Sequence, residues 1–348
     1  MIEAKALSKR YGDTYALRDA SFSVHRGEVL GFLGPNGAGK TTTMKILTCF
    51  IAPSAGTAIV NGADIFEDSL SVRRSIGYLP ESTPLYTEML VHEYLAFMAE
   101  MRSIPAADIP ARIKKVVQAT SLSDVLHKGI RTLSKGYRQR VGLAQALIHE
   151  PPILILDEPM SGLDPNQAAE IRDLIRELGR ERTVILSTHN LAEVQVTCGR
   201  VLIVAKGKLV ADDTPQSLQA RAGKPRYAVT VQGPESARDP EAAGAELRSV
   251  LEAVAGVAAV RTRITTAAEL QVQVEAAGRD DLRPAISKAV SGAGFVVLGL
   301  SSEGEKLEDV FRNLTLGQEG PAAAPAATAA PASTSETEQE STQAQTGS

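Results

Sequence analysis

Three short runs in this chain are apolar almost without interruption: VLGFLG (Val29 to Gly34), ILILD (Ile153 to Asp157) and TVILST (Thr183 to Thr188). A strand solvated on one face alternates apolar with polar residues. Continuous runs of this length therefore read as strands buried on both faces, as in a parallel sheet covered by helices. From Met1 to about Leu218 such runs alternate with helical stretches, which predicts an α/β domain with a largely parallel sheet. Residues from about Ser82 to Leu133 read as mostly helical and predict a separate lobe. Within it Leu90, Tyr94, Phe97 and Met101 fall on one helical face, and core packing is the expected use of that face.

The pattern changes near Arg226. YAVTVQG, VAAVRTRITT, ELQVQVEA and FVVLGL read as strands, interrupted by helical stretches near Glu241 to Val254 and Asp281 to Val290. Strand, helix, strand, strand, helix, strand is the order of a ferredoxin-like α+β unit. A last amphipathic stretch, KLEDVFRNLTL, is expected to close that unit. From Glu319 onward the chain has no Leu, Ile, Val or aromatic residue and is rich in Ala, Pro, Thr, Ser, Glu and Gln. Such a segment buries too little apolar surface to offset the entropy of ordering and is expected to be disordered. The expected division is 1–225, with a helical lobe at about 82–133, then 226–317, then a tail at 318–348.

Composition narrows the function. The 348 residues hold 37 Lys and Arg against 41 Asp and Glu. The four acids Glu319, Glu336, Glu338 and Glu340 lie in the last thirty residues, which contain no Lys or Arg. The rest therefore has no formal net charge, and no nucleic-acid partner is expected. Two cysteines, Cys49 and Cys198, stand far apart in no metal-binding spacing, which points to a reducing compartment. No apolar run reaches bilayer-spanning length, and MIEAKALSKRYG lacks the apolar stretch of a secretion signal. A cytosolic protein is expected, with any membrane role exerted through a partner.

The chemistry begins at GPNGAGKTT, which follows one expected strand and precedes the helical run MKILTCF. Gly34, Gly39, Lys40 and Thr41 meet the pattern G-x-x-x-x-G-K-[ST], the phosphate-binding P-loop. Its backbone from Gly34 through Pro35, Asn36, Gly37, Ala38 and Gly39 to Thr42 is expected to wrap phosphates with N–H groups, helped by the following helix dipole. Lys40 is expected to neutralise β- and γ-phosphate charge, and the Thr41 hydroxyl to bind Mg²⁺. In ILILDEP, Asp157 ends a buried strand, where a carboxylate needs a partner and Mg²⁺ through water is the natural one. Glu158 beside it is placed to orient or deprotonate an attacking water.

With these motifs the chain resembles the nucleotide-binding subunits of ABC transporters over nearly all of residues 1–218. The resemblance implies a P-loop ATPase fold with ATP and Mg²⁺ as cofactors. LSKGYRQR (Leu133 to Arg140) resembles the family's signature sequence, whose common form has glycine where this chain has Lys135 and glutamine where it has Tyr137. Ser134 and Gly136 are kept, and Ser134 can cap a helix pointing at a γ-phosphate. The resemblance implies that this helix serves ATP held by a second subunit, most simply an identical one. SGLD, ending at Asp164, looks like the loop linking two ATP sites. His189 matches the histidine that contacts the γ-phosphate. Tyr11 matches the aromatic that stacks on adenine, with plain packing as the competing reading. Glu81 stands where the family commonly has a Mg²⁺-binding glutamine. A carboxylate can fill that role, and a surface glutamate is the competing reading.

GYLPE followed by PLY, the variant signature and SGLDPNQ give a finer resemblance to exporter-type (ABC-2) ATPases, including those linked to bacterial gliding motility. That implies a separate integral-membrane permease and a location at the cytoplasmic face of the inner membrane. A soluble ABC ATPase acting on ribosomes or DNA is the alternative. Such proteins usually carry two cassettes or a long coiled-coil insertion, and this chain has neither.

Overall fold

The structure is a computed structural model and describes residues 1–221, 226–233, 240–264, 269–278, 280–303, 311, 314 and 315. In chain order the first half comprises β1 (Ile2–Tyr11), β2 (Thr14–Val24), β3 (Val29–Leu33), α1 (Lys40–Leu47), β4 (Ala55–Val60), β5 (Ala63–Asp64), α2 (Ser69–Ser75) and β6 (Ile76–Leu79). Then follow α3 (Val91–Met101), α4 (Ile109–Ala119), α5 (Lys135–Leu147), β7 (Ile153–Asp157), α6 (Pro165–Leu178), β8 (Thr183–Thr188), α7 (Leu191–Thr197), β9 (Arg200–Ala205), β10 (Lys208–Asp213) and α8 (Pro215–Arg221). The last elements are β11 (Arg226–Gln232), α9 (Pro240–Glu252), β12 (Val257–Ile264), β13 (Glu269–Ala276), α10 (Arg283–Gly292) and β14 (Val296–Glu303).

The three continuously apolar runs are the centre of one six-stranded sheet, ordered β10-β9-β3-β8-β7-β6 and parallel except for β10. Burial on both faces is literal here. Ile153 and Ile155 of β7 join one apolar cluster while Leu154 and Leu156 join another, and all four are fully buried. Each contributes roughly 1.5–3 kcal/mol by leaving water. The sequence did not announce a second, antiparallel sheet, β2-β1-β4-β5. Ile2, Leu7, Leu17, Val24 and Val60 from it share a cluster with Met44, Ile46 and Leu47 of α1, so the helix after the P-loop lies between two sheets. That placement holds α1 rigidly against β3, from which the P-loop springs.

The expected helical lobe contains α3 and α4, followed by two 3₁₀ turns at Ser123–Val125 and Ile130–Thr132. The expected buried face needs correction. Val91, Tyr94, Leu95 and Ala99 face inward, whereas Met101 is 65% exposed and Phe97 is half-buried against Tyr86. Two overlapping stripes satisfy the helical period on α3, and packing against α4 and α5 selects the one that the residue spacing did not favour.

The β11–β14 region has the expected strand and helix order. Its antiparallel sheet runs β12-β13-β11-β14, with Leu247, Leu251, Ile286 and Val290 of α9 and α10 packed on one face. This is the ferredoxin-like arrangement. The stretch expected to close it behaves otherwise where it is described: Phe311 and Leu314 pack against the cluster that includes α3 to α7. The rest of that stretch and the tail at 318–348 lie outside the described residues. Among the described residues no helix is long and apolar enough to cross a membrane.

Candidate functional site

The P-loop joins the end of β3 to the start of α1. Gly39 caps α1 with φ +110°, in the left-handed region that glycine adopts without penalty. It also packs so closely that a Cβ there would lie 2.3 Å from the Ala16 carbonyl oxygen. The helix start has no capping side chain and no acid in its first turn, so its amides and dipole are free to face an anion. Lys40 is 5% exposed, and its ammonium donates to the carbonyls of Gly34 at 2.7 Å and Pro35 at 3.3 Å. Thr41 and Thr42 follow in the first turn, partly buried, and Ala38 is buried beneath the loop.

Strands β7 and β8 bring the acids to this loop. Their pairing sets Asp157 opposite Ser187, whose hydroxyl donates to Asp157 Oδ1. Asp157 is fully buried and its Oδ2 has no hydrogen-bond partner. Glu158 follows with φ +50°, a left-handed conformation that costs a glutamate and recurs where function fixes the backbone. Its amide donates to both the carbonyl and the hydroxyl of Ser187 at 3.1 Å. Its carboxylate lies between two partners: Lys40 Nζ is 3.4 Å from Oε1, and His189 Nδ1 is 2.9 Å from Oε2. The structure thus brings Lys40, Glu158 and His189 together, on the β7 and β8 ends where they were expected.

An orphaned, buried Asp157 oxygen, next in sequence to a Glu158 that reaches Lys40 of the phosphate-binding loop, is suited to a hard divalent cation, and the Thr41 hydroxyl would complete that oxygen donor set. Glu81 sits in the turn just after β6 and is exposed. The phenol of Tyr78 connects it to this set. That hydroxyl is buried without a partner and its pKa is pushed up by burial first, then by the carboxylates of Asp157 and Glu81. Both acids therefore act on one phenol.

Tyr11 lies at the end of β1, 53% exposed, with Lys9 Nζ 5.4 Å from its ring centre. It pairs with Thr14 on β2, two residues before the Ala16 that abuts Gly39, so the ring stands on the hairpin that backs the P-loop.

Ser134, Gly136 and Asp164 form a second cluster. Ser134 caps α5 and accepts from the Tyr137 amide, and Asp164 caps α6 and accepts from the Gln167 amide at 2.9 Å. Gln167 in turn crosses Gly136, where a Cβ would fall 2.3 Å from its Oε1.

Sequence reasoning missed Ser187, Tyr78 and Glu193. Glu193 accepts from the Thr188 hydroxyl at 2.6 Å, and burial raises its pKa. The polar residues ending TVILST gave a signal for Ser187, because a hydroxyl inside a buried parallel strand needs a partner.

Comparisons with known proteins agree with this geometry. Residues 17–161 match the ABC transporter family. The ABC transporter ATP-binding protein YxlF of Bacillus subtilis (strain 168) is 33% identical over 311 residues, covering 89% of this chain and 98% of that protein. The daunorubicin resistance ATP-binding protein DrrA3 of Streptomyces coeruleorubidus is 33% identical over 315 residues, covering 90% and 95%. Among solved structures, cbiO1 from Clostridium perfringens, part of the ABC transporter complex cbiONQ, is 30% identical with a TM-score of 0.58. It covers 63% of this chain and 90% of that one. With its P-loop, its buried acids and relatives matched along nearly their whole length, the chain belongs to the ATP-binding subunits of the ABC transporter family.

Proposed function

We propose that the chain hydrolyses ATP to power a membrane exporter, two copies closing on two ATP molecules and acting on a separate integral-membrane permease. The observation that supports this best is the convergence of Lys40 and His189 on the buried Glu158 carboxylate. The P-loop amides and Lys40 would bind the ATP phosphates, and Tyr11 would cover the adenine. Mg²⁺, held by Thr41 and Asp157 with Glu81 beside them, would supply charge neutralisation between the β- and γ-phosphates. Glu158 would take the proton of the attacking water on a carboxylate oxygen, and His189 would fix that carboxylate and meet the γ-phosphate. The packing of β7 and β8 buries Asp157 fully and leaves Glu158 only 7% exposed, so an attacking water would reach it from the His189 side.

The second subunit would supply Ser134 and Gly136 to the opposite ATP, with Asp164 in the loop between the two sites. The drug-resistance name of one relative and the transporter complex named for a solved neighbour support export and a permease. A cytoplasmic position held at the inner membrane by that permease follows. The proposed division is an ATPase domain at 1–225, an accessory domain at 226–317 and a tail at 318–348; the separate apolar cluster of β11 to β14 supports the first boundary, while Phe311 and Leu314 of the second segment pack on the cluster of α3 to α7.

The test is purification from solubilised membranes with identification of what co-purifies. A multi-span membrane protein that raises the ATPase rate is expected. Recovery with ribosomes or DNA instead, with no membrane protein, would overturn the transport reading.

A further inference from the structure

Parallel pairing of β7 with β8 sets Asp157 directly opposite Ser187. Side chains alternate along a strand, so this pair shares the face of Ile155 and Ile185. Those isoleucines pack in one cluster with Met44, Ile46 and Leu47, which places the pair on the side of α1, the helix after the P-loop. Ser187 is fully buried, and its one hydroxyl proton goes to Asp157 Oδ1. Its oxygen accepts from the Glu158 amide at 3.1 Å, so a single hydroxyl bonds both acidic residues. The next hydroxyl along β8, on Thr188, is committed elsewhere, to Glu193 of α7 at 2.6 Å.

Ser187 is the one hydrogen-bond partner of the Asp157 carboxylate among the described residues, and Oδ2 is left buried without one. The last torsion of an aspartate is broad, so without the serine proton no hydrogen bond would tell its two oxygens apart. The Glu158 amide is shared between the hydroxyl and the carbonyl of Ser187, which holds a residue at φ +50° against β8. We propose that Ser187 is a positioning residue. Its proton commits Asp157 Oδ1 and leaves Oδ2 as the oxygen offered to the divalent cation, while its oxygen holds the backbone of Glu158. The inference rests on Asp157 meeting that cation, as proposed above.

The experiment uses the full chain and Mn²⁺ as the probe. Three quantities are measured besides kcat: Mn²⁺ affinity of the chain saturated with a non-hydrolysable ATP analogue, affinity for that analogue in EDTA, and melting temperature. Loss of an outer-shell partner costs about 10- to 100-fold in metal affinity or activity. Ser187→Ala is therefore expected to weaken Mn²⁺ binding and to lower kcat by about that factor, with affinity for the metal-free analogue unchanged. Ser187→Cys, close in volume but a weak donor, should fall between Ala and parent, and it carries the comparison if Ser187→Ala does not fold. Ser187→Thr keeps the hydroxyl and should stay near parent. In the double Ser187→Ala/Asp157→Asn the serine change should add little to the loss from Asp157→Asn, since both act on one group.

Parent Mn²⁺ affinity in both Ser187→Ala and Ser187→Cys would overturn the proposal. An equal loss of metal-free analogue affinity would also overturn it, because a merely structural serine gives that result. So would a loss of Mn²⁺ affinity in Ser187→Thr as large as in Ser187→Ala at the parent melting temperature. Parent Mn²⁺ affinity in Asp157→Asn would instead overturn the assignment of the cation to Asp157.

Discussion

His189 Nδ1 lies 2.9 Å from Glu158 Oε2, joining a half-exposed imidazole to a carboxylate that is 7% exposed. The imidazole faces the solvent side of the acid, while Lys40 reaches the other oxygen from the P-loop. A carboxylate held from both sides has one orientation, as a base that must meet a water in a fixed place requires. Replacing Glu158 by Gln keeps the shape and removes the proton acceptor. Glu158→Gln is expected to bind ATP normally and to hydrolyse it about 10²- to 10⁴-fold more slowly. Single-turnover hydrolysis with ATP binding measured in parallel checks this, and turnover at the parent rate would remove Glu158 from the role.

Lys40 has a different task, and its loss should read differently. Its ammonium bonds two P-loop carbonyls and neighbours Glu158 while almost fully buried. A charge-assisted contact to phosphate is worth about 1.5–3 kcal/mol, so Lys40→Ala is expected to weaken ATP binding roughly tenfold to a hundredfold. It also leaves the buried Glu158 short of a partner, so the ligand-free protein should melt lower. An isothermal titration that gave parent affinity would contradict the assignment.

His149 offers a test of stability against pH away from the site. Burial, with the Arg102 charge as a smaller cause, lowers its pKa from 6.5 to about 4, and its Nε2 meets the Ile76 carbonyl at 3.1 Å. The folded state holds the neutral ring where the unfolded chain would already bind a proton. Its contribution is therefore complete above about pH 6.5 and is lost as pH falls from there through about 4. His149→Gln keeps a donor toward Ile76 and cannot be protonated. Its melting temperature is expected to fall less steeply between those pH values than that of the parent. Parallel curves would show that His149 does not titrate on unfolding.

The sheet and the P-loop were legible because each rests on a local rule. Val29 to Leu33, Ile153 to Asp157 and Thr183 to Thr188 are apolar except for Asp157, Thr183, Ser187 and Thr188 at their ends, because helices or a second sheet cover both faces. The P-loop glycines are set by backbone geometry that any phosphate demands. What failed needed knowledge of partners distant in sequence. Met101 is exposed because α3 turns its other stripe to α4 and α5. Phe311 docks on the cluster of α3 to α7 although the chain reaches it from β14. The approach of Gln167 to Gly136 depends on how α5 and α6 meet, and no spacing in LSKGYRQR encodes it.

Glu81 is where sequence and geometry leave a role to be measured. Just beyond β6, it shares with Asp157 an effect on the Tyr78 phenol, whose pKa rises chiefly through burial and then through the two carboxylates. Two residues on, the Thr83 hydroxyl donates to Gln139 of α5 at 2.9 Å, so the turn bearing Glu81 is tied to the helix that Ser134 caps. A carboxylate here would favour a divalent cation more than an amide would. Because Glu81 is exposed, the gain is screened to about 1 kcal/mol, or roughly fivefold. Glu81→Gln is expected to keep ATP affinity, to need up to about fivefold more Mg²⁺ for half-maximal hydrolysis, and to change the stimulation given by a co-purified permease. If neither the Mg²⁺ dependence nor the stimulation moved, Glu81 would be a surface glutamate, and the turn would act on α5 through Thr83 alone.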